Sequence, residues 1–298
     1  MVAMLGNGAS RSFNGDGKPD LLVRKNATGE VFVLPHSGKF DGTSTFGEPV
    51  LIAKDMGWQR FGFLRAAQNG SGPADVIAFS LEGVNPGEDG EWGLFLYQNN
   101  GGLDGLQTLS DTPIRVSGRR DDGRVWETVA LADVSGNGSD DTVSREVNEG
   151  NVDWFPHGGA IVANDTYDKT PHRLTTVAPT DFPFAMADFT GNGKLDLVVR
   201  RENGDIDIFE FADDHDLAHS ATAGEGTWYT VAKGWNEYVF LCLTDIDLDG
   251  APDLLVTKPD GTLLGYRNSG KFDPADPEAL FEEPVVVGTE FWQYDVLS

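Results

Sequence analysis

Short apolar runs alternate with turns rich in glycine and acidic residues along the whole chain, and no run has the spacing of a long amphipathic helix. The order of apolar run, turn and apolar run appears in KNATGEVFVL and returns in REVNEGNVDWF, RRENGDIDIF and TKPDGTLLGY. Tips such as NG, EG and DG suit tight hairpin turns, which need positive backbone φ angles. The pattern therefore predicts an all-β chain made of short hairpins.

The chain also contains an internal repeat. A polar stretch of nine residues occurs five times and ends in aspartate each time. The closing aspartates are 55, 66, 55 and 57 residues apart, a period typical of propellers, solenoids and other repeat arrays. We call these stretches acidic loops 1 to 5, and they span residues 12–20, 67–75, 133–141, 188–196 and 245–253.

Each repeat extends beyond its hairpin to a fourth strand, because SGKFDGTSTFGEPVLIAKDMGW closely matches SGKFDPADPEALFEEPVVVGTEFW. Five units of four short antiparallel strands predict a five-bladed β-propeller, with residues 1–298 forming a single domain. A β-solenoid is the alternative, but its coils are normally shorter than this repeat.

The two ends of the chain indicate how the ring closes. The first acidic loop comes almost at once, whereas the chain ends with FWQYDVLS, which is equivalent to the strand preceding the acidic loop in other units. We therefore expect the C-terminal strand to complete the first blade. The segment Val2–Leu5 could take the same place, and the sequence leaves that alternative open.

Oxygen-bearing side chains occupy alternate positions of the acidic loops, with a backbone carbonyl at the seventh position. This arrangement can form a cage for a hard cation of calcium size, and glycine at the fourth or sixth position lets the backbone curl around it. The predicted metal-binding residues are Asn14, Asp16 and Asp20 in loop 1, Asp133, Ser135, Asn137 and Asp141 in loop 3, Asp188, Thr190, Asn192 and Asp196 in loop 4, and Asp245, Asp247, Asp249 and Asp253 in loop 5.

The number of charged ligands predicts the order of affinity: loop 5, then loops 3 and 4, then loop 1. Loop 2 opens with Ala67 and keeps only Asn69, Ser71 and Asp75, so we expect it to hold no ion. About three to four calcium ions with a structural role are expected in total. An ion-free turn is the alternative, since Asp, Asn and Gly also favour such turns.

The acidic loops resemble the calcium-binding loops of FG-GAP and VCBS repeats, the units of integrin-α-like β-propellers. The resemblance covers essentially the whole chain, and GWNEYVFLCLTDIDLDGAPDLLVTKPDGTLLGYRNSG is especially similar to the VCBS-type units common in secreted bacterial proteins. It implies calcium between the first two strands of a blade and extracellular binding of glycans or proteins. Some family members are polysaccharide lyases or are attached to hydrolases, so the resemblance leaves activity open.

The composition limits the classes of binding partner and the cellular location that we expect. A formal charge of −26 disfavours nucleic acid and anionic membranes. No apolar run approaches the roughly 20 residues of a membrane helix, and the single cysteine, Cys242, excludes an internal disulfide framework. Acidic loops of extracellular modules often bind calcium at about 10⁻⁴ to 10⁻³ M. We therefore expect a secreted protein whose signal peptide precedes this numbering.

Tryptophans are the candidate ligand-binding residues. We predict that Trp58, Trp126, Trp235 and Trp292 recur just ahead of the first strand of a unit, where exposed indoles could stack on sugar rings. Packing between blades is the alternative interpretation, because large aromatic side chains dominate protein cores.

Three functional hypotheses follow. We favour an extracellular, calcium-stabilised recognition module that binds carbohydrate in the manner of a lectin. The second hypothesis is a protein-binding adaptor within a larger assembly, with a cell-surface protein as its partner. The third is a polysaccharide lyase or hydrolase, which is disfavoured because the chain has no Gly-x-Ser-x-Gly elbow, HExxH motif or P-loop.

Overall fold

A computed structural model describes most of the chain and shows a five-bladed β-propeller, as the repeat predicts. The strands form five four-stranded antiparallel sheets, and short 3-10 turns are the helical elements in the same part of the chain. Within it, no helix is long and apolar enough to cross a membrane. The described residues are 11–54, 57–58, 61–80, 93–117, 126–212 and 224–298.

The strands follow one another in a regular order. They are β1 (Leu21–Lys25), β2 (Val31–Leu34), β3 (Val50–Ala53), β4 (Phe61–Ala67), β5 (Asp75–Ser80), β6 (Gly93–Tyr97), β7 (Ile114–Ser117), β8 (Trp126–Ala132), β9 (Asp141–Glu146), β10 (Asn151–Phe155), β11 (His172–Thr176), β12 (Phe182–Ala187), β13 (Asp196–Arg200), β14 (Ile206–Phe211), β15 (Gly226–Ala232), β16 (Phe240–Thr244), β17 (Asp253–Thr257), β18 (Leu263–Tyr266), β19 (Val285–Gly288) and β20 (Tyr294–Leu297).

Each blade contains four of these strands. Blade 1 consists of β20, β1, β2 and β3, and blades 2 to 5 consist of β4–β7, β8–β11, β12–β15 and β16–β19. The first strands of neighbouring blades contact one another, as β20 does with β4 and β16, and β12 does with β8 and β16. The first strands therefore surround the axis, and the fourth strands lie at the rim.

The ring closes through the C-terminal strand, which confirms the expected closure. Strand β20 pairs with β1 with Leu297 opposite Val23, and Ser298 exchanges two backbone hydrogen bonds with Leu22, of 2.7 and 3.0 Å. The competing segment Val2–Leu5 lies outside the described residues.

The hydrophobic core lies between the blades, because each sheet is apolar on both faces. Leu22 of blade 1 shares a buried cluster with Trp58 and Val76 of blade 2, and Trp154 of blade 3 shares one with Phe209 of blade 4. Complete burial of a large apolar side chain contributes about 1.5–3 kcal/mol. The stability of the ring therefore depends on the seams between neighbouring blades.

This topology places all five acidic loops on one side of the ring. Loops 2 to 5 join the first and second strands of their blades. Loop 1 leads into β1, the second strand of blade 1, whose first strand β20 comes from the C-terminus. Every first strand runs in the same direction along the axis. We call this side the acidic face. The hairpins between second and third strands, and the turns that lead into the first strands, lie on the opposite face.

Candidate metal sites and aromatic positions

The closing aspartate of an acidic loop is a buried hydrogen-bond acceptor. In loop 5, Asp253 accepts the backbone N–H of Ile246 at 2.8 Å and that of Asn268 at 2.6 Å. Asp20 of loop 1 likewise accepts the backbone N–H of His36 at 2.9 Å. All five closing aspartates are buried. In loops 1, 2, 3 and 5 they tie the acidic loop to a residue just after the third strand of the blade, namely His36, Asn99, His157 and Asn268.

Burial raises the pKa of the closing aspartates. The pKa of Asp253 and that of Asp196 rise to about 7, and the pKa of Asp141 rises to about 6. Burial also raises the pKa of Asp20 and of Asp75, although backbone N–H donors oppose the shift. A nearby positive charge would favour the ionised form of these groups and return their pKa towards the ordinary range.

Loop 5 brings three carboxylates together. Oxygen atoms of Asp245, Asp247 and Asp253 lie within 4.8 Å of one another. Two ligands of the same calcium ion, each at about 2.3–2.6 Å from it, lie at most about 5 Å apart. Asp245 Oδ1 is also buried and has no hydrogen-bond partner. The spacing and the unsatisfied oxygen fit one calcium ion.

The remaining predicted ligand of loop 5 lies outside this cluster. Asp249 accepts a backbone hydrogen bond from Ala251 at 2.8 Å. The guanidinium group of Arg267 lies beside the loop, with its Nη1 atom 3.4 Å from Asp247 Oδ2. Arg267 is also paired with Glu282, so it balances the negative charge of the three carboxylates only in part.

Loops 3 and 4 hold their first aspartates in the same way. Asp133 accepts the backbone N–H groups of Asn137 and Gly138, both at 2.8 Å. Asp188 accepts those of Asn192 and Gly193, at 3.0 and 2.8 Å. These bonds fix one carboxylate in each loop without any ion.

The two loops differ at their other oxygen atoms. In loop 4, Asp196 Oδ1 and Thr190 Oγ1 are buried and have no hydrogen-bond partner. In loop 3, Asp141 Oδ1 accepts the backbone N–H of His157 at 2.6 Å, and Ser135 donates its hydroxyl to the same atom at 3.3 Å. Loop 4 therefore has more buried oxygen atoms without a hydrogen-bond donor than loop 3 has, and these atoms could bind a cation.

Loop 1 carries its own cation. Lys18 Nζ lies 2.9 Å from Asp16 Oδ2, and the Ser12 hydroxyl donates to Asn14 Oδ1 at 3.1 Å. Lys18 occupies the seventh position of the loop, so this pairing could be anticipated from the sequence. A calcium ion in loop 1 would have to compete with this ammonium group.

Loop 2 satisfies its oxygen atoms with amide donors. Gln68 Nε2 donates to the carbonyls of Gly70 and Gly72, at 2.6 and 3.1 Å. Asn69 Nδ2 donates to Asp75 Oδ2 at 2.8 Å. Asn69 occupies the third position of its loop, where loop 5 has the carboxylate of Asp247. The oxygen atoms of loop 2 are thus bound by amide donors of the protein itself.

The four candidate tryptophans do not share one position. Trp58 and Trp235 are buried in the turn that leads into the first strand, as the inter-blade interpretation requires. Trp126 is half-buried, lies within β8 and is paired with Glu146. Trp292 is 63% exposed. The prediction that these tryptophans lie just ahead of a first strand is therefore wrong for Trp126, which lies within β8, whereas Trp292 lies in the turn just before β20.

Phe291, and not Trp292, is equivalent to Trp235. The backbone N–H of Phe291 bonds to the carbonyl of Gly261 at 2.9 Å, just as that of Trp235 bonds to the carbonyl of Gly204 at 2.8 Å. Both aromatic residues are buried and follow a residue in the left-handed conformation. Trp292 therefore occupies the position of Asn236, where a neighbouring repeat has a polar side chain.

The buried tryptophans pack against aromatic side chains. The Trp58 ring lies 4.5 Å from that of Tyr97, and the Trp235 ring lies 4.6 Å from that of Tyr266, measured between centroids. Contacts of this kind stabilise the core and leave no indole face for a ligand. Of the four candidates, Trp292 has the surface that a ligand could reach.

A wide cavity of about 920 Å³ opens at the centre of the acidic face, with residues from all five blades around it. Asp133, Asp188 and Asp245, the first residues of loops 3 to 5, line its wall. Met186 and Leu243 are among its apolar lining residues. Changes in the acidic loops would therefore reshape this opening.

Comparisons with known proteins do not add a family assignment. No protein-family model matches the chain, and a search of curated proteins finds no match.

Proposed function

We propose that this protein is an extracellular, calcium-stabilised recognition module that binds carbohydrate, with Trp292 as its stacking residue. The observation that carries the proposal is the 63% exposure of this indole at a position where blade 5 has Asn236. The fold does not need an aromatic side chain there, because Phe291 already fills the space between the blades.

The surroundings of Trp292 suit a sugar. The side-chain amide of Asn26 approaches the Trp292 carbonyl at 3.5 Å, and Gly261 lies directly against the indole. Asn26 and Asp260 are exposed at the tips of the two flanking hairpins. An indole face covers the apolar face of a sugar ring, and amide and carboxylate groups at its edge bind hydroxyls.

Calcium has a structural role in this proposal. When bound, it supplies the positive charge that three converging carboxylates of loop 5 need. Asp245, Asp247 and Asp253 would hold it, and they connect the end of β16 with the start of β17. A site of the affinity common in extracellular modules, about 10⁻⁴ to 10⁻³ M, would be filled outside the cell and not in the cytosol.

A glycan array in millimolar calcium, followed by calorimetry on the strongest ligand, tests the proposal. Trp292→Gln should weaken binding about tenfold or more, because loss of about 1.4 kcal/mol of stacking corresponds to a factor of ten. Val162→Gln is the matched control, since Val162 is an exposed apolar residue on blade 3. Equal affinity of the wild type and Trp292→Gln, or no glycan bound by the wild type, would overturn the proposal.

A further inference from the structure

Arg65 is a buried cation near the axis of the propeller. It lies on β4, and its side chain is only 4% exposed. Its Nη2 donates to the carbonyl of Thr128 in blade 3 at 2.9 Å, and its guanidinium carbon lies 4.6 Å from the centre of the Phe63 ring. Its Nε is buried and has no hydrogen-bond partner. Neither contact of the guanidinium involves a negative charge.

Other buried arginines have carboxylate partners. Arg24 is 1% exposed and pairs with Asp295 at 2.7 Å, and Arg145 is 7% exposed and pairs with Glu127 at 2.9 Å. A buried charge without a partner costs several kcal/mol, so buried cations in proteins are generally paired. Arg65 departs from this pattern.

The position of Arg65 also departs from the repeat. Arg24, Arg145 and Arg200 each lie four residues after a closing aspartate and donate to carbonyls of the next blade. Blade 2 has Phe79 at that position. At the seam between blades 2 and 3, the arginine is instead on the first strand, next to the axis.

The first strands provide small side chains at the level of Arg65. Arg65 pairs with the residue two places after the closing aspartate of its blade. Ala130, Ala185 and Cys242 pair with the equivalent residues of blades 3, 4 and 5. Ser298 bonds to the equivalent residue of blade 1. Four residues with small side chains therefore share a level on the first strands with Arg65.

Among the described residues, Glu127 and Cys242 act on the charge of Arg65, and neither of them neutralises it. Glu127 is already bound to Arg145. Burial raises the pKa of Cys242 to about 12, so its thiol is neutral at physiological pH. Burial lowers the pKa of Arg65 to about 9, and the group is still a cation at neutral pH.

We propose that the guanidinium of Arg65 binds a small monovalent anion, of the size of chloride, on the axis of the propeller. The next level towards the acidic face consists of Ala66, Leu131, Met186 and Leu243, all of which are buried. This apolar layer separates Arg65 from the wide cavity and favours a small ion over a large organic anion. The bound anion would link blade 2 to the first strands across the axis.

Crystals of the wild-type protein soaked in sodium bromide test the site directly. Bromide replaces chloride and is located by its anomalous scattering. The expected result is a bromide peak within hydrogen-bond distance of the Arg65 guanidinium. A map with only water beside Arg65 would overturn the proposal.

Thermal unfolding supplies an independent readout at fixed calcium and ionic strength. Replacing sodium gluconate by sodium chloride should raise the Tm of the wild type saturably, by about 2–4 °C. Arg65→Met and Arg65→Gln should lose this response, whereas Arg200→Met should keep it because Arg200 lies at a different seam. The same Tm for the wild type in both salts would contradict the proposal even if the Arg65 variants do not fold.

Discussion

Acidic loops 2 and 5 occupy the same place in their blades but satisfy their oxygen atoms in different ways. In loop 2, the amides of Gln68 and Asn69 donate to backbone and carboxylate oxygens. In loop 5, oxygens of Asp245, Asp247 and Asp253 lie within 4.8 Å of one another. The turn itself therefore does not require an ion. We propose that a requirement for an ion arises only where carboxylates replace the protein's own donors.

Loop 1 is intermediate between these two cases. Its Asp16 is paired with Lys18 at 2.9 Å, so the ammonium group of the protein itself balances the charge of this carboxylate. Loops 2, 1 and 5 thus range from oxygen atoms bound by the protein's own donors to three converging carboxylates. The predictions below test this interpretation by changing equivalent positions in loops 2 and 5.

The largest effect is expected from removing the closing aspartate. Asp75→Ala and Asp253→Ala should each lower the free energy of unfolding by about 2–4 kcal/mol in calcium-free buffer, because each leaves buried donors unsatisfied. Addition of calcium should widen the gap from wild type for Asp253→Ala only. Urea unfolding measures both values. An Asp75→Ala variant as stable as the wild type would show that the closing aspartate has no structural role.

The pH dependence of stability gives the next largest effect. Because the folded pKa of Asp253 is about 7 and that of the unfolded group is about 4, the folded protein binds the proton more tightly. Stability should therefore fall as the pH rises from 5 to 7 in calcium-free buffer, by on the order of 1–3 kcal/mol in total.

Calcium should reduce this fall, since the ion favours the ionised carboxylates of loop 5. The contribution of Asp75 should remain, because burial raises its pKa in a loop that has its own amide donors. Urea unfolding at several pH values, with and without calcium, measures the slopes. Stability that rises with pH in calcium-free buffer would contradict this assignment.

The increase in the free energy of unfolding on calcium binding should be smaller than the two effects above. At a free concentration ten times the dissociation constant, one site adds about 1.4 kcal/mol to the free energy of unfolding. Asp247→Asn should lose most of this increment. Ser71→Ala, at an exposed position of loop 2, should keep it. Equal calcium increments for the wild type and Asp247→Asn would place the ion elsewhere.

The smallest effect concerns backbone strain. Leu248 of loop 5 has a φ of 66°, whereas loop 2 has Gly70 at the same position with a φ of 77°. Leu248→Gly should stabilise the protein by about 0.5 kcal/mol, since relief of left-handed strain slightly exceeds the added freedom of the unfolded chain. Gly70→Ala should destabilise it by about 1 kcal/mol. A destabilised Leu248→Gly variant would show that the leucine side chain makes a stabilising contact.

Much of the fold could be predicted from the sequence because one pattern repeats. The spacing of the closing aspartates and the hairpin signals determine the blade count, and the match between FWQYDVLS and WNEYVFLC predicts closure by the C-terminal strand. A short apolar run in one copy could belong to a strand or a helix, but the same pattern in five copies favours strands.

The candidate sites were less predictable, since they depend on differences between the copies. Trp292 matches Trp235 in residue type, but the left-handed residues Gly234 and Glu290 directly precede Trp235 and Phe291, so Trp292 is one residue further along than the sequence match suggests. The constant spacing of Arg24, Arg145 and Arg200 after the closing aspartates is a sequence signal for arginines that bridge neighbouring blades. Arg65 gives no sequence signal, because its burial depends on three blades meeting at the axis.

The most direct test of calcium binding by loop 5 is a pair of crystal structures determined with millimolar calcium and with chelator. The account predicts an ion at about 2.3–2.6 Å from oxygens of Asp245, Asp247 and Asp253, present in the first structure and absent from the second. The same three carboxylates without an ion between them in millimolar calcium would contradict it.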